Sequence, residues 1–167
     1  MTIKVVNNFL NEKNFNYLTS HILDSEFPWR KRDKTTPEDK NNNIYFSYSF
    51  FNELEVNSEL YSPLILPILK KLNVIAPIQV RSNMVINKLM KDPSWHTDYR
   101  TKSKTAILYL NTCEGGTEFK INKKVKFVKA ESNKIVIFNS NIEHRGIYKN
   151  DVPYRYILNL NYYDYSC

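Results

Sequence analysis

Hydrophobic positions divide the chain into two parts with different periods. Phe15, Leu18 and Ile22 recur at three and four residues behind Asn11, which predicts a short amphipathic helix capped by that asparagine. Leu64, Ile65, Ile68, Leu69 and Leu72 repeat the pattern over residues 62–72. Ser62 stands at the cap there, Pro63 at the first helical position, and Pro67 is expected to bend the helix. Between the helices, residues 30–43 read RKRDKTTPEDKNNN, a polar connection without an apolar residue that is expected to be mobile. From about residue 78 the period changes. IQVRSNMVINKLM, TAILYLN, GTEFKI, KVKFVKA, KIVIFNS, RGIY and YRYILNLNYY are short runs rich in β-branched and aromatic residues, set off by turn-like residues. They predict antiparallel strands in a sandwich or barrel. No internal repeat or boundary interrupts the chain. The expected architecture is one domain over 1–167, mainly β with N-terminal helices: a helical support with a mobile loop over 1–77, and a β core over 78–165.

Composition narrows the function classes. Hydrophobic residues at 42% and charged residues at 25% describe an ordinary globular chain, neither disordered nor fibrous. No stretch approaches the ~18 apolar residues of a membrane span, and MTIKVVNNFL lacks the features of a secretory signal, so a cytoplasmic setting is expected. Cys113 and Cys167 supply neither metal-ligand spacing nor a disulfide framework. The net charge of +7 admits an anionic partner such as nucleic acid. Scattered, solvated lysines are the simpler reading, because no run of five like charges exists. The densest basic stretch, FKINKKVKFVKA, alternates like a solvated strand. The 12 tyrosines read as packing rather than as a stacking surface.

The candidate chemistry begins with the three histidines, His21, His96 and His144. His21 falls on the polar side of the first helix. His96 and Asp98 stand two apart in WHTDY, and on an extended segment such residues point to one side, where both can face one ion. His144 follows the run KIVIFNS and can close the set from another strand. Two imidazoles and a carboxylate on one face of an octahedron leave three positions open, the arrangement of non-haem Fe(II) oxygenases. Arg155 opens the last run, with Ile157, Asn159 and Asn161 on its face and Leu158 and Leu160 on the other. A guanidinium there can clamp a carboxylate in a two-bonded fork, and a polar strand face suits a ligand cavity. Gly115 and Gly116 are expected to form a turn with positive φ.

His96-Thr97-Asp98, TAILYLN, Gly115-Gly116-Thr117-Glu118-Phe119, His144 and Arg155-Tyr156, in that order, resemble the 2-oxoglutarate- and Fe(II)-dependent oxygenase superfamily. The similar branch is the prolyl 4-hydroxylase-like group, including small members encoded by bacteriophages. The resemblance covers residues 80–163, about half the chain. It implies a double-stranded β-helix (jelly-roll) core, iron held by His96, Asp98 and His144, and Arg155 on the far carboxylate of 2-oxoglutarate. It also places Tyr109 and Ile107 at that cosubstrate, with Asn87 either a further contact or a pleat residue. The implied enzyme is a monomeric dioxygenase that uses Fe(II), 2-oxoglutarate and O₂, with ascorbate as a stimulant, and releases succinate and CO₂. A phage-encoded member would work in the host cytoplasm. The leading substrate is a peptidyl proline, under a lid formed by residues 30–43, with Trp95 or Tyr99 packing on the ring.

The chain departs from the group in two places. NMVINKLM lacks the tyrosine many relatives carry there, and Asn161 replaces an aromatic that some prolyl hydroxylases place near the pocket, so a different substrate shape is expected. Arg145, next to His144, faces either substrate or solvent. Three other readings stay open: the same chemistry on a nucleobase or small metabolite, a non-catalytic metal-binding β-barrel, and a purely structural phage-type protein. Against the first, nucleic-acid demethylases of the superfamily carry a second arginine after the Arg155 position, and this chain has none. Against the second, cupin-type barrels typically use a His-x-His pair.

Overall fold

The computed structural model describes residues 2–33, 43–91 and 93–166, and among them eleven strands form two antiparallel sheets. In chain order the elements begin β1 (Lys4–Val6), α1 (Glu12–Ile22), β2 (Arg30–Arg32), β3 (Tyr45–Asn52) and β4 (Glu55–Val56). A π-helical turn (Tyr61–Ile65) leads into α2 (Leu66–Lys71), then β5 (Ala76–Ile86) and a 3₁₀ turn (Asn87–Leu89). The remainder is β6 (Lys104–Tyr109), β7 (Gly116–Ile121), β8 (Lys124–Lys129), β9 (Ile135–Asn139), β10 (His144–Ile147) and β11 (Tyr154–Tyr163). All seven expected runs are strands, β5 through β11. The mainly β, jelly-roll class holds.

The large sheet runs β1-β9-β6-β11-β5-β3-β2, with β4 on β3, and the small one runs β10-β7-β8. One side of the large sheet buries Phe50, Leu108, Leu158 and Leu160 in a cluster with Leu18 and Ile22 of α1 and Ile65 and Ile68 of the second helical segment. A second cluster joins Ile107, Tyr109 and Val136 of the large sheet to Phe119 of the small one. The polar face of β11 therefore looks into the space between the sheets.

The helices differ in detail. Asn11 caps α1 as expected, its Oδ1 accepting from Asn14 N at 2.8 Å. Ser62 does not cap the second helix, which starts at Tyr61, where Leu60 provides no side-chain cap. Ser58 serves just outside instead, its Oγ accepting from Leu60 N at 3.1 Å and from the Tyr48 hydroxyl at 2.7 Å. Pro67 has no N–H for the i−4 carbonyl, and the preceding turn widens to a π form in which Leu66 N donates to Tyr61 O.

Residues 1–77 are more than a helical support. β3 joins the large sheet beside β5, because Phe46, Tyr48 and Phe50 alternate with Ser47 and Ser49. Arg30–Arg32 pairs with β3, so the polar connection begins as a strand. Residues 34–42 of the expected lid lie outside the described residues. Gly115 and Gly116 do not adopt positive φ. They serve close approach: a Cβ would collide with the backbone oxygen of Ile147 at Gly115 and of Val128 at Gly116. The β7–β8 turn is instead made by Asn122 and Lys123, both at positive φ. No helix among the described residues is long and apolar enough to cross a membrane.

Candidate metal centre and cavity

His144 opens β10, and His96 lies on the segment before β6. The two residues exchange backbone bonds, His96 N to His144 O at 3.1 Å and His144 N to His96 O at 2.9 Å. That single bridge lays the WHTDY segment along the edge of the small sheet. Asp98 N then donates to Ser140 O at 3.1 Å, which holds the carboxylate on the side of His96. The ligating atoms of His96, Asp98 and His144 all lie within 4.8 Å of one another. Asp98 Oδ1 is 3.9 Å from His96 Nε2 and 3.7 Å from His144 Nε2.

Each imidazole is oriented from behind. His144 Nδ1 stands 3.0 Å from Ile142 O and His96 Nδ1 3.3 Å from Ser94 O. A carbonyl only accepts, so both bonds put a hydrogen on Nδ1 and turn Nε2 toward Asp98. The carboxylate is equally constrained. Asp98 Oδ2 accepts from Thr105 Oγ1 and from Asn161 Nδ2, both at 2.8 Å, which leaves Oδ1 to face the imidazoles. Burial alone would raise the Asp98 pKa; the charges of His144 and His96 and the bonds from Asn161 and Thr105 outweigh it and hold the group below the usual carboxylate range. Two imidazoles and a carboxylate are a donor set suited to Fe(II).

Asn161 thus buttresses the carboxylate instead of shaping a substrate pocket. Asn161→Ala is expected to weaken metal binding about 10–100-fold, the usual cost of losing a group that orients a ligand. Titration of the purified protein with Co(II) or Ni(II) checks it, and unchanged affinity would mean that Thr105 suffices.

A cavity opens from His96, Asp98 and His144 and is lined by Ile107, Thr117, Arg155 and Ile157 toward one end and by Arg81, Asn83 and Asn159 along β5 and β11. Arg155 is 3% exposed, yet no carboxylate among the described residues lies within 4.0 Å of it, and its Nε lacks an acceptor. Its Nη2 donates to Thr117 Oγ1 at 3.2 Å, and the Tyr109 hydroxyl is 2.8 Å from the same oxygen. The guanidinium lies between two rings, 5.5 Å from the Tyr109 centroid and 5.3 Å from that of Tyr148. Burial raises the Tyr109 pKa against the opposing Arg155 charge and the Thr117 bond, so the phenol stays protonated. Tyr109 stands behind Thr117, and Ile107 lines the wall. A buried cation stripped of water and counter-ion is costly, which makes this end of the cavity receptive to an anion.

The remaining candidates lie elsewhere. Asn87 is buried in the 3₁₀ turn off the cavity, and its Nδ2 donates to Val152 O at 2.9 Å, fastening the β10–β11 connection. His21 is half-buried on α1, its Nδ1 2.8 Å from Tyr17 O. Trp95 lies between Lys120 and Arg145, 4.6 Å from each cation, and Arg145 pairs with Glu118 at 2.8 Å. Tyr99 is half-buried; burial and the Asp98 charge raise its pKa while Arg81 opposes them. Thr105 and Arg81 carry no signal that the sequence reading uses, and Thr117 enters it only as part of the Gly115–Phe119 run. Thr105 works through Asp98 on the neighbouring segment and Thr117 through Arg155 far along the chain, whereas Arg81 shares the two-residue spacing of Asn83.

No protein-family model matches the chain, and no curated protein matches it in sequence. Solved structures do match in shape. A prolyl-4-hydroxylase from Pseudomonas putida aligns with TM-score 0.69 at 13% identity, over 97% of this chain and 92% of the other. A Trichoplax adhaerens prolyl hydroxylase in complex with a hypoxia-inducible-factor oxygen-degradation-domain peptide aligns with TM-score 0.66 at 14% identity, over 98% and 84%. HygX from Streptomyces hygroscopicus, bound to nickel, 2-oxoglutarate and hygromycin B, aligns with TM-score 0.63 at 11% identity, over 98% and 83%. The chain has the double-stranded β-helix fold of the 2-oxoglutarate- and Fe(II)-dependent oxygenases, shared with prolyl hydroxylases.

Proposed function

We propose that this protein is an Fe(II)- and 2-oxoglutarate-dependent dioxygenase that hydroxylates a C–H bond, with a peptidyl proline as substrate. One observation carries the reading: His96, Asp98 and His144 converge at a cavity that also contains a buried guanidinium without a counter-ion. His96 Nε2, His144 Nε2 and Asp98 Oδ1 would hold the iron, with Thr105 and Asn161 fixing which oxygen of Asp98 is offered. Arg155 would pair with the distal carboxylate of 2-oxoglutarate. Thr117, already accepting from Arg155, keeps its hydroxyl hydrogen to donate when Tyr109 also donates to it. Val85, Ile107 and Ile157 would exclude water between the two ends. Iron with bound 2-oxoglutarate supplies the oxidising chemistry: O₂ is consumed, the 2-oxo acid loses CO₂ to become succinate, and one oxygen atom enters the C–H bond.

Peptidyl proline is supported by the similarity of the WHTDY, TAILYLN and RYILNLNYY segments to the prolyl hydroxylase branch. The peptide held by the Trichoplax adhaerens fold relative adds to it. Incubation of a proline-rich peptide with the protein, Fe(II), ascorbate and 2-oxoglutarate should add one oxygen to the peptide and release succinate, as read by mass spectrometry. Oxidation of a nucleic acid or metabolite but not of any peptide would remove the peptide and keep the oxygenase. Absence of 2-oxoglutarate turnover with all three classes would remove both.

A further inference from the structure

Arg155 is not the only cation in the cavity without a counter-ion. Arg81 shares a face of β5 with Asn83 and Val85, and all three line the cavity. Strand register locates it. Val85 stands opposite Arg155, whereas Arg81 stands opposite Asn159, two residues from the Asn161 that holds Asp98. Four residues of strand rise about 13 Å, so the two arginines occupy separate ends, Arg155 behind and Arg81 beside the metal ligands. Among the described residues no carboxylate lies within 4.0 Å of Arg81, and its buried Nε meets no acceptor. Beside it, the Oδ1 atoms of Asn83 and Asn159 are buried without a donor.

A guanidinium lacking an acceptor next to two amide oxygens lacking donors is complementary to a group that presents a carboxylate and N–H hydrogens together. A fully ionised phosphate answers only half of that pattern, since it brings acceptors alone. We propose that Arg81 binds a carboxylate of the substrate while Asn83 and Asn159 accept from its N–H groups, so that this site oxidises molecules of amino-acid type bearing a free carboxylate next to the reacting carbon. In a peptide that carboxylate is an acidic side chain beside the target residue or the chain's own C-terminus, and the N–H groups come from flanking residues because a peptidyl proline has none; a free amino acid carries both itself. The inference rests on the oxygenase reading above and adds the substrate class to it.

The test uses the full-length protein loaded with Ni(II) and 2-oxoglutarate, which permits binding without turnover. Calorimetry compares short peptides containing Pro-Asp, Pro-Asn, a C-terminal Pro carboxylate or a C-terminal Pro amide, together with free L-proline. The wild-type protein should prefer an acid over its matching amide by about 30-fold or more, the lower range for a charge-assisted pair. Whichever acid binds identifies the source of the carboxylate. Arg81→Gln should bind that acid and its amide alike, and Arg81→Lys should restore part of the preference. Both variants should keep wild-type affinity for Ni(II) and 2-oxoglutarate. If Arg81→Gln loses 2-oxoglutarate instead, Arg81 serves the cosubstrate and the proposal is overturned. Absence of any acid preference in the wild type, including absence of binding by all probes, overturns it too. Failure of the wild type to bind Ni(II) or 2-oxoglutarate at all would instead remove the oxygenase reading beneath it.

Discussion

Asp98→Ala should eliminate tight Fe(II) binding and all 2-oxoglutarate turnover while leaving the circular dichroism of the β core unchanged. The carboxylate is the only anionic member of the cluster, and both imidazole Nε2 atoms face its Oδ1. Its loss leaves only the two imidazoles, and metal affinity should fall by more than the ~100-fold that an orienting partner alone can cost. The fold tolerates the change because Asn161 Nδ2 and Thr105 Oγ1 already contact each other at 2.9 Å and stay partnered. The local penalty is about 1–3 kcal/mol, the range for disturbing a buried polar contact. Thermal unfolding with and without Fe(II) or Ni(II) separates the two effects, because a ligand that binds only the folded state raises the transition in proportion to the logarithm of its excess over Kd. The variant should show no metal-dependent rise. An Asp98→Ala protein that still gains stability from the metal would show that the ion sits elsewhere.

Arg155→Ala is the second large effect. A forked, charge-assisted pair in a site with little water is worth about 2–5 kcal/mol on truncation, so the 2-oxoglutarate requirement should rise by about 30-fold to several thousand-fold. Metal affinity without cosubstrate should change little, since Arg155 does not contact the three ligands. Tyr109→Phe removes one hydroxyl on Thr117 and should cost about 0.5–1.5 kcal/mol. Titration of the Ni(II)-loaded protein with 2-oxoglutarate reads all of these. Unchanged affinity in Arg155→Ala would move the cosubstrate to the other guanidinium.

The sequence was most readable where periodicity and local geometry decide. The seven runs from residue 78 onward carry β-branched and aromatic residues between turn residues, and each became a strand. His96 and Asp98 are brought together by the pleat itself, two residues apart. Groups that depend on sheet register were harder to read. Thr105, Asn161 and Asp98 meet across 7 to 63 positions, and no spacing along the chain marks that triangle. Asn87 stands four residues after Asn83 and would share its face on an unbroken strand, but the strand gives way to a 3₁₀ turn at Asn87 and the alternation stops one residue short of it. β3 did leave a signal, the alternation of Phe46, Tyr48 and Phe50 with Ser47 and Ser49. Its position between an apolar-free segment and a helix made it resemble part of the N-terminal support.

β11 links the ends of the site in a way that single substitutions do not reveal. Arg155, Ile157, Asn159 and Asn161 share its inner face, while Tyr156, Leu158, Leu160 and Tyr162 pack with the helices on the other. The irregularity in its pairing with β5 falls between Asn161 and Tyr162, just beyond the last inward residue the site uses. The site can therefore be tuned one side chain at a time but cannot absorb a change in the length of this strand. One residue inserted or deleted between positions 155 and 161 would reverse the facing of everything beyond it, turning leucines into the cavity and asparagines into the helix-packed core. Cosubstrate pocket, metal support and hydrophobic packing would fail together. Variation that preserves this chemistry is thus confined to substitution along β11, while changes of length are left to the connections between strands.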